Sequence, residues 1–202
     1  VFLELDEAVV AAWEARVEAS DLWVAHSQAH ERNFLNRLSE TATNPDHLAR
    51  FMPPRYWLLH TFAHTLLREM AMSSGYGAAS ISERIYAWKP ENGRPPAAGL
   101  LLLTTSSDSD GTLGGLVQLS EPARLRRIVG NALLHASRCS SDPVCAYRTP
   151  TDPEDFLHGA ACHCCTFASE TSCERANRFL DRRFLLTLPS AHGKPVPGFF
   201  GS

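Results

Sequence analysis

All six cysteines of this 202-residue chain fall between positions 139 and 173, and that clustering constrains the fold more than any other feature. A disulfide framework spreads its cysteines through a small secreted domain, whereas a short run of thiols brings several sulfurs to one point. Cys162-His163-Cys164-Cys165 holds a C-x-x-C pair, whose two intervening residues let both thiolates reach one ion at Zn–S distances of about 2.3 Å. Cys173 follows eight residues after Cys165. The fourth sulfur has to come from upstream, where Cys139 and Cys145 bracket Ser140–Val144. Cys145 is preferred because it already lies outside the preceding helix, with Cys139 as the alternative. The expected ligands are therefore Cys145, Cys162, Cys165 and Cys173. Four sulfurs leave no open coordination position, so the zinc (Zn2+) is structural. Cys164 and His163 are left over, and His163 replaces a cysteine only at a cost in geometry beside Cys162. Buried free thiols or a redox pair are the competing reading.

Length and composition narrow the rest. A chain of this size fits one domain, or one domain with an arm. Its 44% hydrophobic content supplies a core. No apolar run approaches the ~20 residues of a membrane helix, and no secretory signal opens the sequence, so the expected compartment is a reducing cytoplasm. The first residues, Val1–Asp6, read like the middle of a chain. The net charge of −3 names no polyanionic partner, and of 19 basic residues only Lys89 and Lys194 are lysines, a skew that reflects base composition more than a nucleic-acid surface.

Hydrophobic periodicity predicts a helix from Asp6 to about Glu40, a second from about Arg55 to Met72, and a third from the Ser120-Glu121-Pro122 start to about Ser137. Thr41–Pro45 and Pro53-Pro54 are the breaks between the first two, and Gly75-Tyr76-Gly77 stops the second. Ser80–Trp88 carries Ile81, Ile85 and Trp88 at helical spacing, but is read as a strand. It forms a hairpin through Pro90–Pro96 with the apolar strand Ala98–Thr105. A short helix is expected from about Glu174 to Leu186. The predicted organisation is an N-terminal helical arm (1–50), a zinc-binding domain (51–188) and a Pro/Gly-rich tail (189–202). The predicted fold class is α/β, with helices packed on a small sheet and a C-terminal four-cysteine knuckle.

Three further patterns bear on chemistry. His60-Thr61-Phe62-Ala63-His64 puts two histidines on one helix face, but the metalloprotease version has Glu directly after the first His, where this chain has Thr61. Hydrogen-bonded packing is the plainer reading. The Ser109–Gly115 turn follows a strand and precedes a helix, yet lacks the G-K-[ST] of a P-loop, so ATP binding is not expected. Arg175, Arg178 and Arg182 fall at i, i+3 and i+7 of the expected last helix, a row suited to phosphates or to salt bridges with Glu174 and Asp181.

Together these motifs carry a resemblance. Leu59–His64, Ser74-Gly75-Tyr76, Ala79–Tyr86, Asp108–Leu116, Cys139–Cys145, Gly159–Cys165 and Glu170–Arg182 occur in the order seen in the helicase-associated zinc-binding domain MZB. The form it most resembles is that of the DrmB proteins of the DISARM antiphage system, over roughly Arg55 to Leu188. Cys164 departs from that pattern, where a small residue is usual. The resemblance implies metal ligation by Cys145, Cys162, Cys165 and Cys173. It also implies an accessory role beside a DrmA-like DNA helicase, with DNA contact direct or indirect, and a longer parent chain.

The sequence reading is thus a non-enzymatic, zinc-stabilised accessory module of a helicase complex in antiphage defence, with Arg175, Arg178 and Arg182 as candidate nucleic-acid contacts. A scaffold that binds the helicase without touching DNA is the first alternative. A hydrolase, the second, needs His60, His64 and Asp108 or Asp110 to share one pocket.

Overall fold

The structure, a computed structural model, describes residues 1–37, 51–74, 77–104, 114–150, 158–189 and 194–201. The Gly75-Tyr76 part of the helix stop and residues 105–113 of the turn-rich loop, with Asp108 and Asp110, lie outside them.

Among the described residues are six α-helices and a three-stranded antiparallel sheet, a mixed α/β architecture. Strands β1 (Phe2–Glu4), β2 (Ile81–Trp88) and β3 (Ala97–Thr104) are ordered β1-β3-β2. The β2–β3 hairpin pairs Ile81 with Thr104 through to Trp88 with Ala97. Its tip closes at the Glu91–Arg94 bridge, where Asn92 and Gly93 both take positive φ (48° and 80°). Asn-Gly suits this two-residue reversal because both residues tolerate left-handed backbone, whose twist matches that of the strands. At Gly99 on β3 a Cβ would come within 2.8 Å of the Phe2 ring, which lies over this glycine.

The N-terminal helix expected as one rod is two, α1 (Glu7–Glu18) and α2 (Asp21–Asn36). The Ser20 hydroxyl accepts from the Trp23 amide and starts α2, satisfying a donor that a helix start would otherwise leave open. The 1–50 segment, expected as an arm, contributes Val10, Trp13 and Val17 to the same core as α3, and β1 to the sheet. From the tail, Val196 joins that core and Phe199 and Phe200 pack against it.

Helix α3 (Pro54–Ser74) is the axis of the fold, with nearly every side chain from Arg55 to Leu67 buried. It packs against β2, β3, α1 and the fifth helix, so it is buried around its whole circumference, its polar His60, Thr61, His64 and Thr65 included. Its N-terminus is fixed by Arg55, 1% exposed, whose guanidinium donates to Glu14 Oε2 at 2.8 and 3.0 Å and to the Trp88 carbonyl at 3.0 Å. Helices α4 (Gly114–Leu119), α5 (Pro122–Ala136, with proline in its first turn) and α6 (Val144–Tyr147) lead into the cysteine segment.

The last expected helix is absent. Ala176, Asn177 and Phe179 take φ of 51°, 58° and 62°, which a right-handed helix cannot accommodate, and only a 3-10 turn, Arg182–Phe184, follows. Arg175, Arg178 and Arg182 therefore share no helix face.

Candidate metal centre

Cys139 lies just past the C-terminus of α5, Cys145 sits on α6, and Cys162 and Cys165 flank a tight turn. In that turn the Cys162 carbonyl accepts from the amides of Cys165, Thr166 and Phe167 at 3.2, 2.9 and 3.0 Å. The four sulfurs lie within 4.8 Å of one another. Neighbouring pairs are 3.5 Å (Cys139–Cys162), 3.7 Å (Cys162–Cys165) and 3.8 Å (Cys145–Cys165) apart. A tetrahedron of thiolates around an ion at about 2.3 Å has edges of about 3.8 Å, so the donor set and its spacing fit zinc. No disulfide joins them.

This set departs from the sequence expectation at one position. Cys145, Cys162 and Cys165 converge as anticipated, but Cys139 completes the group and Cys173 does not join it. The Asp142 carboxylate explains the inclusion of Cys139: Oδ2 accepts from the Cys139 amide at 2.7 Å, and Oδ1 accepts from the Ala146 amide at 3.0 Å, folding the Ser140–Val144 bracket so that both of its cysteines face inward. Cys164 is exposed, and His163 stacks edge-on with Phe167 at 4.9 Å; neither enters the cluster.

Arg182, fully buried, clamps the centre. Its Nη2 donates to Asp142 Oδ1 at 2.9 Å, its Nη1 to the Ala136 carbonyl at 2.9 Å, and its Nε to the Ala160 carbonyl at 3.1 Å. These acceptors belong to the end of α5, the loop between Cys139 and Cys145, and the residues just before Cys162. One side chain thus holds the segments that present the sulfurs, and its charge lies against Cys145 and Cys165. A hydrogen bond from Cys145, aided by Thr166 and Arg182 against the opposing effect of burial, pulls the Cys165 thiol down to about 5. Its burial removes Arg182 from the expected phosphate-facing row. Arg175 and Arg178 remain exposed.

Cys173 stands with His60, His64 and Glu83 in a second, buried group whose donor atoms also lie within 4.8 Å of one another. Its sulfur is 3.2 Å from His60 Nε2, and Glu83 Oε1 is 2.8 Å from the same nitrogen. Burial opposes ionisation of both acids, yet the two histidines hold the Glu83 carboxyl down to about 2 and the Cys173 thiol down to about 6. Glu83, on β2, was not singled out by sequence reasoning. An acid flanked two residues away on each side by Ile81 and Ile85, on the same face of a strand, is the signal that could have found it.

The residues matched by the MrfA Zn-binding domain family (MZB) are 62–166, a span that holds Cys139, Cys145, Cys162 and Cys165 and stops short of Cys173. The chain belongs to the MZB family. The DISARM protein DrmB of Bacillus paralicheniformis is 44% identical to this MZB chain over 131 residues, covering 65% of the chain and 22% of that protein. The chain thus spans about a fifth of the length of that relative. Among its described residues, no helix is long and apolar enough to cross a membrane.

Proposed function

We propose that this MZB chain is a zinc-pinned accessory module of a longer antiphage-defence protein of the DISARM type, and that it serves as a rigid platform for a DrmA-like DNA helicase. The similarity to DISARM protein DrmB carries the assignment to that system. The platform reading rests on Arg182. A residue expected to face phosphate is instead fully buried in the frame of the metal centre. That favours a role in architecture and protein contact over a DNA groove built by the post-knuckle segment.

When bound, zinc would cross-link α5, α6 and the Cys162–Cys165 turn; the protein's own residues orient those sulfurs through Asp142 and Arg182. The His60–His64 pair offers no route to hydrolysis, because both rings and Glu83 are sealed from solvent. Arg175 and Arg178 are the members of the row left on the surface, so any direct contact of the row with DNA falls to them.

The test is a phage-challenge assay in a bacterium carrying the complete defence gene set, combined with affinity purification of the helicase. Cys145→Ser with Cys165→Ser is expected to abolish both restriction and helicase recovery. Arg175→Ala with Arg178→Ala is expected to leave helicase recovery intact. Full restriction by the double cysteine variant would contradict the reading.

A further inference from the structure

The group formed by α3, β2 and the loop after Ser172 has the donors, the enclosure and the orphaned atoms of a metal site in its own right. His60, His64 and Glu83 are fully buried and Cys173 is 8% exposed. His60 Nε2 is 2.8 Å from Glu83 Oε1 and 3.2 Å from Cys173 Sγ, and His64 Nε2 is 3.4 Å from the same carboxylate oxygen. Two of these atoms, His64 Nε2 and Glu83 Oε2, are buried with no hydrogen-bond partner. His60 Nδ1, on the opposite side of its ring, is also without one, and an ion in this group would not supply it.

The tautomer of His64 sharpens the argument. Its Nδ1 lies 3.0 Å from the Thr166 carbonyl oxygen, which can only accept, so the ring proton sits on Nδ1. In the neutral ring, Nε2 then presents a lone pair to the carboxylate of Glu83. Two acceptors facing each other in a dry interior need a cation between them, and that cation is either a second ring proton on His64 or a metal ion. An imidazole whose remote N–H is fixed by a backbone carbonyl is the usual arrangement of a metal-bound histidine.

The surroundings of Cys173 agree. Its sulfur accepts from the amides of Arg175 and Asn177 at 3.4 and 3.2 Å, as the chain turns around it through positive φ at Ala176 and Asn177. One carboxylate and one thiolate neutralise a divalent ion, so the filled group buries no net charge.

We propose that His60 Nε2, His64 Nε2, the Glu83 carboxylate and Cys173 Sγ bind a second ion, a divalent transition metal such as zinc, in a closed structural site. Two imidazoles, a carboxylate and a thiolate suit zinc and leave no position for substrate. Cys173 therefore keeps the metal-binding role read from the sequence, but toward a different ion. The site ties α3 to β2 and to the 172–177 loop, and through the Thr166 carbonyl, one residue past Cys165, it adjoins the four-cysteine centre. The proposal is independent of the assignment to a defence system.

The experiment is elemental analysis with zinc-edge X-ray absorption on the full chain, produced with zinc supplied and no chelator. Two zinc ions per chain and a mixed shell of sulfur with nitrogen or oxygen are expected. Glu83→Gln and Cys173→Ala are each expected to lose one ion and to leave a pure four-sulfur shell. One zinc per chain with a four-sulfur shell in the wild type would overturn the proposal, whether or not the variants fold.

Discussion

Arg182 Nη2 donates to Asp142 Oδ1 at 2.9 Å, and the other oxygen of that carboxylate holds the amide of Cys139 at 2.7 Å. The clamp and the first sulfur of the four-cysteine cluster therefore belong to one hydrogen-bonded unit. A side chain 43 positions downstream of Cys139, by the chain numbering, sets the position of that sulfur.

Arg182→Lys keeps the charge but loses the planar fork that reaches three acceptors at once. Zinc affinity, measured by competition with a chromophoric chelator, is expected to fall about 10–100-fold, the range for lost partners of metal ligands. Unchanged affinity would mean that the clamp does not orient the sulfurs.

The Arg55–Glu14 pair, with side chains 2% and 3% exposed, joins α3 to α1. Glu14→Ala leaves the guanidinium with the half-exposed Glu7, at 3.0 Å, as its remaining carboxylate. Chemical denaturation is expected to show a loss of about 1.5–3 kcal/mol, the range for lost hydrogen bonds to a charged group, because Glu7 still compensates the charge. A loss under about 1 kcal/mol would place this pair with exposed ones, contrary to its burial.

Acid should lower the stability of the domain in two separate pH ranges. His26 packs on Trp57 at a ring-centroid distance of 4.4 Å, and burial lowers its pKa although Asp181 pulls the other way. A histidine kept neutral in the fold contributes stability above its unfolded pKa of about 6.5, and that stability is lost as pH falls below this value. Asp181 is held well below the usual carboxylate range: burial opposes ionisation, but the Arg183 charge and the His26 hydrogen bond outweigh it. Its contribution is present above the unfolded pKa of about 3.9 and is lost only in stronger acid. His26→Gln is expected to flatten the fall in stability between about pH 7 and 5, a slope that calorimetry reads directly. An unaltered slope would exclude His26 as its source.

Much of the scaffold was legible because its signals are local. The apolar run of β3, the Pro122 helix start and the length of α3 all depend on residues close in sequence. So did the metal chemistry, since a C-x-x-C pair needs only a tight turn. The partition of the cysteines was not legible. Cys173 is turned toward α3 by left-handed residues at Ala176 and Asn177, which carry no glycine to announce them. Its partners His60 and Glu83 meet only because α3 packs across β2. The periodic arginines misled for the same reason: spacing of three and four implies a shared face only where a helix exists.

The most direct measurement of the central claim, that Cys139 rather than Cys173 completes the four-sulfur centre, is the absorption spectrum of the cobalt-substituted chain. Four thiolates around cobalt give sulfur-to-metal charge-transfer bands far stronger than a single thiolate does. Cys139→Ser is expected to abolish the four-thiolate spectrum, and Cys173→Ser to leave it in place. Survival of that spectrum in Cys139→Ser and its loss in Cys173→Ser would contradict the account.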